Sequence, residues 1–446
     1  MIRSFLMTAL LFAHTHWVSA QETDFGSLPE SDELSAQELV GVADSEPVCK
    51  RLLDVMSLAA RRSPDVAVAE AEIAGRRADV TSARALSRPQ VSAFARTQTG
   101  DAGLTGNTFD NQVGLRASQR IYDFGDARFA REAAEARVQA AELERLSVES
   151  EAAFSVSMAY VSALEADARL KVTNEREAYF SRQLAATEIA LDRGGATRSE
   201  VAEIAARLAE AQAERFELEF LREQFTLQIA TRINEQVSIC THTYEPELPA
   251  NADGFSDMDT DLALVSNPTI ERARRDLAGL RAELDREKLS RLPVVEVVAI
   301  GSYTYLDQVN EWEFRDRIGL DVSVPLFSGS ALDARRQSAS AEVNQAQAEL
   351  IRQRRQLRED ILITRRRVLS LSAQSVRRDT VENRKRDQFE AGLIEFDAGL
   401  KILPELVEDR LDYEQSRLDA IEVQFNLLRE RLTLFALTGQ ILQSEG

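Results

Sequence analysis

The chain has 446 residues, 29% of them charged and only 6% aromatic, with Ala, Arg, Glu and Leu the dominant types. That mix argues against an ordinary compact globule and suits long helices with narrow apolar seams. A formal net charge of −20 excludes a nucleic-acid partner, because binding phosphates takes a net basic surface.

In chain order, residues 1–20 read as a secretory signal peptide: Arg3 supplies the positive end, Phe5 to Ala13 the apolar core, and Val18-Ser19-Ala20 the small-residue cleavage site. No cysteine follows that site, so a lipid-anchored N-terminus is not expected. Residues 21–48 form an acidic segment expected to be mobile, with eight acids and no Lys or Arg between 22 and 46. Beyond the signal, no apolar run approaches the roughly 18 residues of a membrane helix. A mature chain that enters a membrane must therefore do so as strands. Cys49 and Cys240 both lie at segment boundaries. For an exported protein a single disulfide is one alternative, and two free thiols the other.

The rest of the chain is duplicated. Ser63-Pro64 recurs as Asn267-Pro268 and Arg88-Pro89 as Leu292-Pro293, both 204 residues later. Tyr122-Asp123-Phe124-Gly125 is answered at the same offset by Leu326-Phe327-Ser328-Gly329. Gly194, Glu200 and Glu203 are matched by Gly399, Glu405 and Glu408 at 205. A constant offset over so long a stretch marks a tandem repeat. The first copy takes 49–240, an acidic linker 241–260, the second copy 261–440, and a short tail 441–446.

Each copy predicts the same elements. A helix opens on a capping residue followed by proline and ends before Pro89 or Pro293. Two strands follow, about 89–99 and 109–122, then 293–306 and 312–326. A long helix comes next, about 126–193 or 330–398; a glycine turn reverses the chain, and a shorter helix covers 198–236 or 403–438. In the first long helix, small residues recur at 133, 136, 140, 147, 150 and 157, with Leu143, Phe154, Val161 and Leu164 in the same 4-3 spacing. That is a coiled-coil seam permitting close approach. The Arg-rich run from Arg352 to Arg367 reads as a solvated face.

The strands alternate. Val113, Leu115 and Ala117 oppose Gln112, Arg116, Ser118 and Arg120; Ile318, Leu320, Val322 and Val324 oppose Arg317, Asp321 and Ser323. One apolar and one charged face suits a barrel wall between lipid and water, and equally a half-buried sheet packed on helices. Tyr122, Phe124, Tyr303, Tyr305, Trp312 and Phe327 sit near strand ends, where interfacial aromatics gather. Four strands cannot close a barrel, and no open edge survives in lipid. A membrane role would therefore require several chains to share one barrel.

This order of strand pairs and long helices resembles the TolC family of outer-membrane efflux and secretion proteins. The match is carried by the cap-proline openings and by the strand endings Gln119-Arg120-Ile121-Tyr122-Asp123-Phe124-Gly125 and Val324-Pro325-Leu326-Phe327-Ser328-Gly329. Gly194-Gly195-Ala196-Thr197-Arg198-Ser199-Glu200-Val201 and Leu437-Thr438-Gly439 also carry it. The resemblance implies a mainly α fold with a small β part: antiparallel coiled-coil helices forming an α-barrel, and four transmembrane strands per chain in a trimeric 12-stranded β-barrel. It also implies a passive duct in the outer membrane with a long periplasmic extension. The partners it implies are two further copies of the chain, outer-membrane lipid, a periplasmic adaptor, and an inner-membrane ABC or proton-driven transporter. The turns containing Gly194, Gly195 and Thr197, and Gly399 and Pro404, would be the adaptor-docking tips. Glu405 and Glu408 would line the periplasmic aperture, where a carboxylate ring favours cations. Pro404 departs from the family pattern and puts the tip shape in doubt. Helix capping is the competing account of these acids, with Thr197 and Glu200 forming a capping box.

Chemistry has little to draw on. Only His242 follows the signal segment, no phosphate-cradling glycine loop appears, and no cofactor or metal motif is present. An enzyme is not expected. Within the duct architecture, type I protein secretion and multidrug efflux are the alternatives. Tyr122-Asp123-Phe124-Gly125 and the missing lipid-anchor cysteine lean towards secretion. A soluble periplasmic coiled-coil scaffold is the rival from another class.

Overall fold

A computed structural model describes residues 49–101, 107–240, 257–306 and 311–441. The signal peptide, the acidic segment 21–48, most of the acidic linker and most of the C-terminal tail lie outside the described residues. The described chain opens with β1 (Cys49–Lys50), α1 (Leu52–Arg62) and α2 (Pro64–Ala85). The hairpin β2 (Gln90–Asp101) and β3 (Asn107–Tyr122) leads into α3 (Asp126–Asp192) and α4 (Arg198–Ile233). After β4 (Ser238–Ile239) and α5 (Asp257–Ser266), the second copy repeats the pattern. It has α6 (Pro268–Leu289), β5 (Val294–Leu306), β6 (Glu311–Ser323), α7 (Ala331–Asp397) and α8 (Leu403–Leu437).

The repeat is exact in the elements that matter for length. Both α2 and α6 have 22 residues, and both α3 and α7 have 67. At 1.5 Å per residue, α3 and α7 are rods of about 100 Å. Each starts at a left-handed pair where the chain leaves the sheet: Phe124 (φ 56°) and Gly125 (φ 104°), then Gly329 (φ 58°) and Ser330 (φ 71°). In the first copy Asp123 secures that corner, accepting from the Gly125 and Ala127 amides at 3.0 and 2.9 Å.

The shorter helices stack end to end beside these rods. The α4 C-terminus meets the α1–α2 junction, where Arg62 donates to the Ile233 carbonyl. The α8 C-terminus meets the start of α6, with Pro268 in contact with Gly439. As a result α3 packs against α2, α4, α6 and α8, and α7 against α6 and α8. The small-residue seam lets them approach closely: a Cβ on Gly279 of α6 would lie 3.4 Å from the Ala133 carbonyl oxygen and 3.5 Å from the Ala136 Cβ of α3. Ala133, Ala136, Ala140, Ser157, Val161 and Leu164 of the seam are buried, whereas Leu143 and Phe154 are half-buried.

The main core lies midway along the rods, where α1, α3, α4 and α8 contribute Val55, Val156, Val161, Ile229, Ile233 and Leu432. A second core at the far end joins Phe180, Ile204, Leu403 and Val407. Three features depart from the sequence expectations. Helix α1 precedes the cap-proline opening and supplies Leu52, Val55, Met56 and Ala59 to the main core. The linker expected over 241–260 gives way to α5 from Asp257, whose Ala263 packs on Ile361 and Leu434. The last strand stops at Ser323 rather than near 326, just before Pro325, which has no amide to give a ladder.

The sheet runs β2-β3-β5-β6, antiparallel throughout, so the two hairpins join through β3 and β5. Its outer strands β2 and β6 have one partner each, and every residue of β6 is exposed.

Candidate functional site: a sheet face and two helical tips

Strand register sorts the sheet into two faces. One carries the cross-strand row Val91, Ala117, Ala299 and Ile318, and four residues further out the row Ala95, Val113, Tyr303 and Phe314. These apolar side chains are exposed to a large extent: Ile318 is 79% accessible and Leu320 69%. Asp316, opposite Gly301, is the charged interruption of this face. Aromatic pairs mark its ends, with Tyr122 against Phe124 at the helix end and Tyr305 against Trp312 at the outer end. From Val322, in the row of Tyr122, to Trp312 is ten residues, about 34 Å of strand. At a tilt of about 40° that becomes about 26 Å, the height of an outer-membrane apolar band.

The other face is polar. Gln112 donates to the Ser302 hydroxyl at 2.8 Å, and Arg120 is held by Asp126 at 2.9 Å and Glu296 at 3.6 Å.

The tips lie at the opposite end of the rods. Both turns close alike. Gly194 (φ 77°) and Gly399 (φ 73°) take the left-handed position, and the next residue donates back to a helical carbonyl: Gly195 to Ala190 at 2.7 Å, Leu400 to Glu395 at 2.8 Å. Beyond that the tips differ. Thr197 caps α4 through a reciprocal box, its hydroxyl accepting from the Glu200 amide at 3.2 Å and its amide donating to the Glu200 carboxylate at 2.6 Å. Those bonds hold the Glu200 carboxyl below its ordinary value. Glu200 is thus occupied with its own helix, whereas Glu203 is exposed. Helix α8 has no side-chain cap; Pro404 occupies its first turn, where a missing amide is harmless. Glu405 and Glu408 are exposed on one side of α8, away from buried Leu406 and Val407, with no ion-pair partner among the described residues.

Several tip residues escaped the sequence reading. Leu400 and Ile402 are 81% and 60% exposed, giving the second turn an apolar surface where the first has Gly195 and Thr197. Just behind it, Asp409 is bound by Lys401 and accepts from Gln388 at 2.6 Å, joining α7 to α8. That bond pushes the Lys401 ammonium up from its ordinary value. Arg410 lies among the rings of Tyr179, Phe389 and Tyr413 and donates to Glu414 at 2.6 Å. Burial pushes the Glu414 carboxyl up, against the pull of Arg410. The i, i+4 spacing of Arg410 and Glu414 was a visible signal, but their partners on α3 and α7 lie far away in sequence.

Cys49 and Cys240, the remaining candidates, are joined as a disulfide with their Cα atoms 5.0 Å apart. Cys49 opens β1 and Cys240 directly follows β4, so the bond staples this parallel pair, where Lys50 also meets Glu235 at 2.5 Å. Among the described residues no cluster of His, Cys, Asp and Glu could hold a metal ion, and no helix is long and apolar enough to cross a membrane.

Comparison with known proteins agrees with this geometry. The family model for "Outer membrane efflux protein" matches residues 55–233 and 260–440. The chain is 26% identical over 203 residues to the proteases secretion protein PrtF of Dickeya chrysanthemi, covering 44% of each chain. It is 25% identical over 191 residues to the alkaline protease secretion protein AprF of Pseudomonas aeruginosa, covering 40% of this chain and 39% of that one. It thus spans less than half the length of these curated relatives. In fold it is similar to the Campylobacter jejuni CmeC outer membrane channel, with a TM-score of 0.76 at 15% identity over 89% of this chain and 87% of that one. The rival reading of a soluble scaffold gives way to these findings. The fold is that of channel proteins rather than enzymes, and the chain belongs to the outer membrane efflux protein family, seated in the outer membrane with its long helices in the periplasm.

Proposed function

We propose that three copies of this chain close a twelve-stranded barrel and a continuous helical tunnel, which together serve as the exit duct for polypeptides exported by a type I system. The observation that carries the trimer is the pair of open sheet edges. Among the described residues strands β2 and β6 each lack a second neighbour, and an unpaired edge is untenable in lipid. The helical layer has the same incompleteness. Phe216, Phe220 and Leu227 line an exposed apolar stripe on α4, and Leu369, Val376 and Ile394 another on α7. Each stripe would be covered by the next subunit.

At the periplasmic end, the two tips meet an adaptor protein: the turn of Gly194, Gly195 and Thr197, and the turn of Gly399 and Pro404. Leu400 and Ile402 supply apolar contact at the second tip. Glu405 and Glu408, repeated threefold, ring the aperture. Energy comes from an inner-membrane ATP-driven transporter; the chain itself has no catalytic role. The names of the two curated relatives support secretion over drug efflux.

Reconstitution tests the assignment. In a strain with a type I transporter and adaptor but no outer-membrane component, this chain should restore extracellular appearance of the exported polypeptide. Restored drug resistance without polypeptide export would favour efflux instead.

A further inference from the structure

The polar face of the sheet carries a basic zone that neither passive wall-building nor the fold requires. Three successive cross-strand rows hold, in order from the helix end, Arg116 with Arg317, then Arg315, then Arg96 with Glu313. Four arginines thus face one glutamate in a chain whose overall charge is −20. Only Arg315 is engaged, by Glu313 at 2.9 Å. Arg96, Arg116 and Arg317 are exposed and have no carboxylate in ion-pair range among the described residues. Arg120, nearer the helices, is by contrast bound by Asp126 and Glu296. Arg96, Gln112, Arg116, Arg315 and Arg317 line one shared concavity rather than separate surface points, and Asp316 is the one carboxylate that also reaches it.

We propose that this zone is an anion-binding belt in the barrel lumen that favours acidic, carboxylate-rich segments of the passing polypeptide. The proposal deepens the duct assignment and rests on it, because only barrel closure turns the polar face into a lumen. Strand geometry puts Arg317 about 7 Å from Arg315 and about 10 Å from Arg116, comparable to the Debye length of about 8 Å at physiological salt, so their fields partly add; Arg96 lies further out, about 14 Å from Arg116. Guanidinium groups stay charged at any working pH and match carboxylates in a two-pronged geometry. With low-dielectric walls around it, a belt repeated in three subunits concentrates anions locally. Without such a zone, an acidic duct would repel acidic cargo along its whole length.

The test uses the full-length protein in planar bilayers, with poly-L-glutamate or poly-L-lysine added to either side. Poly-L-glutamate from the barrel side should block the current, and poly-L-lysine should not. The triple variant Arg96→Gln, Arg116→Gln, Arg317→Gln should conduct but need more than about tenfold more poly-L-glutamate for half-block. Should the triple variant fail to insert, Arg116→Gln and Arg317→Gln singly carry the same comparison, each with a smaller shift in the same direction. Equal block of wild type and variants, or a wild type indifferent to poly-L-glutamate, overturns the belt and leaves the duct standing. A wild type with no conductance at all overturns the duct assignment itself.

Discussion

Asn267 and Leu437 lie 170 residues apart, yet the Asn267 side-chain amide donates to the Leu437 carbonyl at 3.0 Å. The same side chain accepts from the Thr269 and Ile270 amides at 2.9 and 3.3 Å, so one residue caps the start of α6 and the end of α8 together. The first copy makes the equivalent joint with two residues, Ser63 capping α2 and Arg62 reaching the end of α4. Losing Asn267 should therefore cost more than losing Ser63. Asn267→Ala is expected to destabilise by about 2–3 kcal/mol and Ser63→Ala by about 1 kcal/mol, read from denaturant unfolding in detergent.

The disulfide closes a loop of sequence separation 191. Loop-closure entropy sets an upper figure of about 5 kcal/mol for such a link. Cys49→Ser with Cys240→Ser should lower the unfolding midpoint markedly. Proteolysis near β1 and β4 should accelerate, while the tips are unaffected.

At the first tip, the sign of the pH dependence follows from Glu200. Its folded value lies below the ordinary 4.5, so the capping box contributes fully above 4.5 and its contribution is lost as pH falls through the lower folded value. Thr197→Ala should destabilise the start of α4 at neutral pH by about 1 kcal/mol. The gap in melting temperature between wild type and variant should then narrow as the pH is taken below 4.5.

Glu405 and Glu408 make no ion pair that would account for them structurally among the described residues. Glu405→Ala with Glu408→Ala should raise single-channel conductance and raise the divalent-cation concentration for half-block by at least about twofold. Unchanged traces would remove both residues from the aperture.

Gly114 sits where the two hairpins join. A Cβ there would lie 2.5 Å from the Gly301 carbonyl oxygen and 2.6 Å from the Ser302 Cβ. Gly114→Val, although favourable in isolated strand propensity, should cost about 1–3 kcal/mol by parting β3 from β5. Heat resistance of the folded band on electrophoresis would report it.

The repeat made most of this architecture legible. Proline after a capping residue set the starts of α2 and α6, and glycines with positive φ set both tips, because each is a backbone requirement visible in one residue type. Two helices were missed for physical reasons. Helix α1 begins at Leu52 behind Arg51, which gives no familiar cap signal, and has only 11 residues. Helix α5 starts at Asp257 among the acids that end the expected linker, and its buried Ala263 and Leu264 lie just beyond it. The β1–β4 pair has two residues per strand and no local signal; it depends on the fold bringing Cys49 to Cys240. At the tips, sequence placed Glu405 and Glu408 but could not place Asp409 between Lys401 and Gln388, since helix crossings decide that contact.

Electron microscopy of the detergent-extracted protein bears most directly on the shared barrel and tunnel. Three-fold particles longer than about 100 Å, with a narrow barrel end and an extended helical body, are the predicted result. Monomeric particles, or an assembly whose sheet edges stay open, would contradict it.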